Sequence, residues 1–260
     1  MSENCTHDCS NCEKSGNCEI QKLEPNANSN IKKVIGVVSG KGGVGKSLVC
    51  GLIATKLAKQ GKKVGILDAD VTGPSVPKMF GIDGHITATE DAMNPAEDKN
   101  GIKMISANLI LDDPTSPVAW RGPVVSGAIQ QFFNMTNWGD IDVMLVDMPP
   151  GTSDVFLTVM QMIPVDGIVV VTTPQDLVEM IVDKAINLAN MMDVPVLGVI
   201  ENMSYFECPD CGAKHKIYGE SNIDATDTLP INQEFAKAVD AGKLYDINTE
   251  DLLNNIIEII

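Results

Sequence analysis

The sequence predicts an α/β protein with a doubly wound, mostly parallel sheet, and three observations support this. Five short apolar runs recur along the chain, at residues 34–38, 63–67, 143–146, 167–171 and 196–200. Apart from Lys63 at the head of the second, each is a continuous apolar run rather than an alternation, which marks strands covered on both faces. The stretches between them have the length of crossover helices, as in the helical pattern from Val178 to Met192.

The elements follow in chain order. Residues 1–30 are polar, dotted with cysteine and end in the linker-like run Pro25-Asn26-Ala27-Asn28-Ser29-Asn30, so they form a flexible Cys-rich tail that stays unfolded without metal. Residues 31–260 form the main domain, with a C-x-x-C loop at 208–211. The stretch from Gly84 to Asp113, broken by Asn94-Pro95 and Asp112-Asp113-Pro114, reads as an insertion with one further strand from Ile102 to Ser106. From Thr249 to Ile260 apolar residues recur at roughly four-residue spacing, which predicts an amphipathic helix starting at Thr249. Its polar face is acidic, so it suits packing on the domain and not a membrane surface.

Charge narrows the function. Thirty-five Asp and Glu stand against 19 Lys and Arg, a net charge of −16, which disfavours a nucleic-acid partner because phosphate backbones are held by clustered cations. No apolar run reaches the length needed to cross a bilayer, and the N-terminus lacks a basic stretch followed by an apolar one. The expected location is therefore the cytoplasm, with no membrane partner. Six of the seven cysteines fall in two clusters, Cys5, Cys9, Cys12 and Cys18, then Cys208 and Cys211, a pattern of metal or redox chemistry rather than a disulfide scaffold. Cys50 lies in an apolar helical stretch and reads as a small core residue.

The strongest motif is Gly40-Lys41-Gly42-Gly43-Val44-Gly45-Lys46-Ser47, directly after the first strand and opening a helix. The glycines let backbone N–H groups turn inward around phosphates and the helix N-terminus supplies a positive dipole end. Lys46 reaches the terminal phosphates, and the Ser47 hydroxyl is a ligand for Mg²⁺. Two acidic motifs close later strands: Leu67-Asp68-Ala69-Asp70 and Leu145-Val146-Asp147-Met148. A carboxylate at a strand end in such a sheet is placed to bind Mg²⁺ or to orient an attacking water. Asp68 alone reads equally well as a turn or cap residue.

Lys41, a second lysine near the loop's start, makes the motif resemble the deviant Walker A ATPases. The stretches Asp70–Pro77, Trp120–Pro123, Asp147–Asp154, Thr173–Asp176 and Pro195–Ser204 are similar to those of the Mrp/ApbC iron–sulfur carriers, related to the eukaryotic cytosolic iron–sulfur scaffold ATPases. The similarity runs from about Ile31 to Asp246, with Val71-Thr72 and Ser153 as departures. This resemblance implies an ATPase acting as a homodimer, with Lys41 reaching the partner's nucleotide, Asp70 positioning water, Asp147 near Mg²⁺ and Asn202 contacting adenine. Lys41, Lys46, Asp70 and Asp147 are then the catalytic set, and the loop from Gly40 to Ser47 with Asn202 binds the nucleotide.

Cys208-Pro209-Asp210-Cys211 supplies only two thiolates, whereas zinc and iron–sulfur sites usually take four ligands. From the residues alone an iron–sulfur cluster, a zinc site with His215 as a third ligand and a redox pair all stay open. The resemblance implies one [4Fe–4S] cluster bridging two copies. Cys5, Cys9, Cys12 and Cys18 supply four thiolates in one chain; they resemble the scaffold ATPases' N-terminal cluster motif in their last two intervals and equally suit zinc, with His7 available. The implied function is an ATP-dependent carrier that hands its cluster to apo iron–sulfur proteins. A zinc-stabilised ATPase of the partitioning type is the alternative.

Overall fold

In a computed structural model, residues 22–71, 73, 75–89, 92–110, 122–151 and 154–260 are described. The strands are β1 (Asn30–Ile31), β2 (Val34–Ser39), β3 (Val64–Asp68), β4 (Ala96–Glu97), β5 (Lys103–Ile105), β6 (Asp140–Ile141), β7 (Val143–Asp147), β8 (Gly167–Thr172), β9 (Val196–Glu207), β10 (Lys214–His215) and β11 (Asp227–Pro230). The helices are α1 (Lys46–Lys59), α2 (Val76–Met79), α3 (Gly122–Asn134), α4 (Asp154–Met162), α5 (Asp176–Met191), α6 (Gln233–Asp240) and α7 (Asn254–Ile259). The main sheet runs β10-β9-β8-β2-β7-β3-β5-β4, with β11 alongside β9. Its body is parallel, and the two antiparallel pairs lie at its margins, β4 with β5 and β10 with β9.

All five apolar runs form parallel strands, four of them buried and the fifth, residues 196–200, half-buried up to Val199. On β2, Val34 and Val38 enter one apolar layer with Phe132, Phe133, Trp138 and Phe156, while Ile35 and Val37 enter a second with Leu52, Ile53, Phe80 and Phe235. Helices therefore cover both faces, which is why the strands carry no polar alternation. Cys50 is fully buried in the second layer. The strand expected at Ile102–Ser106 is β5, paired parallel to β3.

Two segments differ from expectation. Residues 25–30 read as linker by composition, yet the stretch from Lys22 onward is bonded to the domain. Lys22 Nζ donates to the carbonyls of Met160 (2.6 Å) and Ile163 (3.2 Å), Leu23 N–H donates to Met162 O at 2.7 Å, and β1 pairs with β6. At the other end the helix begins at Asn254, not Thr249. Lys56 explains the shortening, because its ammonium takes the carbonyls of Glu250 and Leu252 and the Asn254 side chain, groups a helix through this stretch would orient along its own axis. Leu253, at φ 58°, then turns the chain into α7.

Candidate functional site

β2 ends at Ser39, and Gly43 and Gly45, at φ 82° and 83°, fold the next six residues back over the start of α1. Gly45 is left-handed at the helix N-cap, no side chain caps the helix, and its first turn holds no acidic residue. The helix therefore presents its free N–H groups and positive dipole end to whatever lies in the loop. A Cβ at Gly42 or Gly43 would meet no protein atom within 4 Å. Glycine there leaves the loop's inner face open to a phosphate, rather than serving internal packing.

The side chains converge on Asp147, the last residue of β7. Lys46 Nζ donates to its Oδ1 and Ser47 Oγ to its Oδ2, each at 2.6 Å, and Lys46 Nζ lies 3.9 Å from Asp70 Oδ2. Burial pushes the Asp147 carboxyl above the usual carboxylate range, and Lys46 works against that. Asp68 lies beside Asp147 in register on β3, wholly buried, with Ser106 Oγ donating to its Oδ2 at 3.0 Å. Burial and the Asp147 charge push Asp68 up to about 8. Ser47 and Asp147 offer the hard oxygen donors that Mg²⁺ takes, so this pair fits the ion.

Asn202, which the resemblance assigns to adenine, lies within β9, beyond the apolar run that ends at Ile200. The β9–β11 register passes from Glu201 opposite Thr228 to Tyr205 opposite Pro230, so β9 carries extra residues here, and Met203 has φ 58°. This bulge aims Asn202 at the loop: its Nδ2 donates to Val44 O at 2.8 Å, and a Cβ on Gly45 would come within 2.3 Å of that nitrogen. Asn202, Met203, Tyr218, Phe235 and Val239 line a largely apolar cleft of about 370 Å³ beside the loop. The α6 side of this cleft was missed from sequence, since nothing local in those residues marks them. Glu201 was also missed: it is buried, Ser204 Oγ donates to its Oε1 at 2.6 Å, and its Oε2 has no partner among the described residues.

Lys41 does not join the Lys46–Asp147 group. Its Nζ donates to Gln175 Oε1 at 2.6 Å.

At the far end of β9, Cys208 N–H donates to Ala213 O and Gly212 N–H to Cys208 O, closing a turn with Gly212 at φ 68°. The backbone N–H groups of Asp210 and Cys211 hold the Cys208 thiol below its usual range. Cys208 is half-buried and Cys211 exposed. Among the described residues no three His, Cys, Asp or Glu side chains gather to hold a metal ion, so His215, on β10 opposite Phe206, does not complete a site with the pair. The expectations at Cys5, Cys9, Cys12 and Cys18, like those at Thr72, Trp120, Arg121 and Ser153, lie outside the described residues. Among the described residues no helix is long and apolar enough to cross a membrane.

A glycine loop between a buried strand and an uncapped helix, with lysine, serine and a strand-end carboxylate converging beside it, defines a P-loop nucleoside triphosphatase. The family model described as NUBPL iron-transfer P-loop NTPase, of the ParA group, matches residues 30–260, and the chain belongs to this family. It is 45% identical to the iron-sulfur cluster carrier protein of Clostridium perfringens, over 96% of this chain and 94% of that one. The protein of the same name from Saccharolobus solfataricus is 42% identical, over 85% and 79%. A solved nucleotide-binding protein from Archaeoglobus fulgidus, in complex with ADP, superposes with a TM-score of 0.74 at 40% identity, covering 83% of this chain and 88% of that one.

Proposed function

We propose that this chain binds and hydrolyses ATP with Mg²⁺ and carries an iron–sulfur cluster as cargo, a [4Fe–4S] cluster held by Cys208 and Cys211 of two copies and handed to apo iron–sulfur proteins in the cytoplasm. The observation that carries this reading is β9. One continuous strand brings Asn202 to the phosphate loop and delivers, at its end, a turn with two thiolates and, among the described residues, no third ligand. A two-thiolate site is half of a tetrathiolate site, and a symmetric pair of chains completes it.

Each residue then has a task. The N–H groups of residues 43–47 hold the phosphates, and Lys46 offsets charge on the transferring phosphoryl group. Asp70, beside Lys46, orients the attacking water. Ser47 and Asp147 would hold Mg²⁺, which when bound neutralises charge on the phosphate oxygens. Asn202 and the apolar cleft take the adenine, and Lys41 serves the nucleotide of the partner copy. The Cys-rich segment before Lys22 holds a second cluster or zinc through Cys5, Cys9, Cys12 and Cys18, and residues 31–260 form the ATPase domain, to which the stretch from Lys22 to Asn30 is bonded.

The test is iron, sulfide and zinc content with visible absorption of the full chain, purified without oxygen and reconstituted, alongside Lys46→Ala and Cys208→Ala/Cys211→Ala. The expected result is a band near ~400 nm with iron and sulfide in equal amounts. The cysteine variant should lose part of it where the N-terminal cysteines hold a second cluster and all of it where they hold zinc, and Lys46→Ala should keep it while ATP hydrolysis falls at least about a hundredfold. Zinc with no cluster after reconstitution overturns the carrier reading; a Lys46→Ala chain with full hydrolysis removes Lys46 from the mechanism.

A further inference from the structure

β2 and β8 run side by side with Ser39 opposite Val171, so the segments leaving their ends emerge together. Lys41 lies two residues past Ser39 and Gln175 four past Val171. There the Lys41 ammonium donates to the Gln175 side-chain carbonyl at 2.6 Å, with both residues half-buried. Gln175 is held for this contact. Its N–H donates to Thr173 O at 2.8 Å, and although it is the N-cap residue of α5 its side chain makes no capping bond. Lys41 is held too, because Ser39 Oγ donates to its backbone carbonyl at 3.1 Å.

The two lysines of the loop therefore have partners of different kinds. Lys46 is bound by a buried carboxylate, Lys41 by a neutral amide. A bond from an ammonium to a neutral oxygen is weaker than one to an anionic oxygen, so phosphate oxygens outcompete an amide for Lys41. We propose that Gln175 is a positioning residue for Lys41: it holds the ammonium within its own chain and yields it when a second copy presents the phosphates of bound ATP. The strength of this one bond then sets how readily two copies close over nucleotide. The inference rests on the homodimer reading, in which Lys41 works across the interface, and it assigns to the Thr173–Asp176 segment a restraint on pairing that the nucleotide site itself does not need.

The test is sedimentation equilibrium of the full chain with a non-hydrolysable ATP analogue, for wild type, Gln175→Leu, Gln175→Asn and Gln175→Glu. Gln175→Leu cannot accept the bond and should tighten pairing about three- to tenfold. Gln175→Asn keeps the amide but withdraws it by one methylene, and should shift pairing in the same direction by less. Gln175→Glu supplies a charged acceptor and should weaken pairing by a similar factor. A merely structural role would make all three weaken it, so opposite signs are the diagnostic. Pairing that Gln175→Leu and Gln175→Asn leave unchanged or weaken overturns the proposal while the homodimer stands. A wild-type chain that stays monomeric with the analogue overturns the homodimer reading and this inference with it.

Discussion

The two ends of β9 are built on opposite terms. At Asn202 the strand meets a site whose parts bind each other within one chain: Lys46 and Ser47 bond Asp147, Asn202 bonds Val44, and each of these residues apart from Ser47 is buried or nearly so. At Cys208 it meets a turn with Cys208 half-buried and Cys211 exposed, whose hydrogen bonds among the described residues run within the turn. A site that acts on a ligand entering and leaving in every cycle gains from side chains already in place, since no ordering cost falls on each turnover. A site that receives and surrenders its cargo gains from being half-made, because what completes it also controls release. Stability and function should therefore separate along the strand, and three variants test that separation.

The largest effect is expected at the loop. Gly45 is left-handed and its missing Cβ leaves room for the Asn202 amide, so Gly45→Ala brings backbone strain and a clash together. A loss of about 2–3 kcal/mol in urea unfolding, with nucleotide binding abolished, is expected. An alanine variant of wild-type stability would mean the loop and Asn202 are loosely coupled.

A smaller effect, with a sign that depends on pH, is expected at Asp68. Folded, its carboxyl holds a proton up to about pH 8, against an ordinary value of 3.8. Between these values the folded state binds more protons than the unfolded one, so the stability this group contributes is full below about pH 4 and is lost as pH rises toward 8. Asp68→Asn removes that dependence. The difference in unfolding free energy, variant minus wild type, should rise from pH 5 to pH 8 with a slope of up to about 1.4 kcal/mol per unit. A flat difference would show that Asp68 is ionised in the folded chain.

The smallest effect belongs to the cysteine turn. Cys208→Ser/Cys211→Ser removes no buried contact and should change stability by no more than about 0.5 kcal/mol in the metal-free chain, measured by the same unfolding experiment. A larger loss would show the turn to be part of the fold rather than an attachment to it.

Much of this was legible in the chain because the signals are local. An unbroken Val/Ile run marks a strand covered on both faces wherever it occurs, and a glycine loop before a helix carries its own geometry, so the parallel sheet and the Lys46–Ser47 end of the site followed from short words. The misreadings came from distant partners. Thr249 has the composition of a helix start, but Lys56, far away in sequence, takes the carbonyls the helix would have used. Residues 25–30 have the composition of a linker, yet Lys22 just before them and Asn30 at their end find carbonyls and a strand edge that no window of sequence contains. Asn202 was placed beyond its strand because the apolar run ends at Ile200, whereas pairing with β11 carries β9 on through the bulge. Gln175 could be read only as part of a motif until the neighbouring strand showed which side chain it faces.

The bulge in β9 gives the strand a mechanical character. Its β8 edge is paired from Val196 to Glu201 and its β11 edge from Ile200 to Tyr205; beyond Tyr205 it runs out as a cantilever supported by the two-residue β10. The fulcrum is Met203, a non-glycine residue at φ 58°, two residues past Glu201, whose buried Oε2 has no partner among the described residues. Both features cost free energy in the form seen, so a small force there meets a soft joint instead of a stiff ribbon. An extended chain hardly stretches, so a tilt at this joint is magnified along the beam and reaches the Cys208 turn as a displacement larger than the one at Met203.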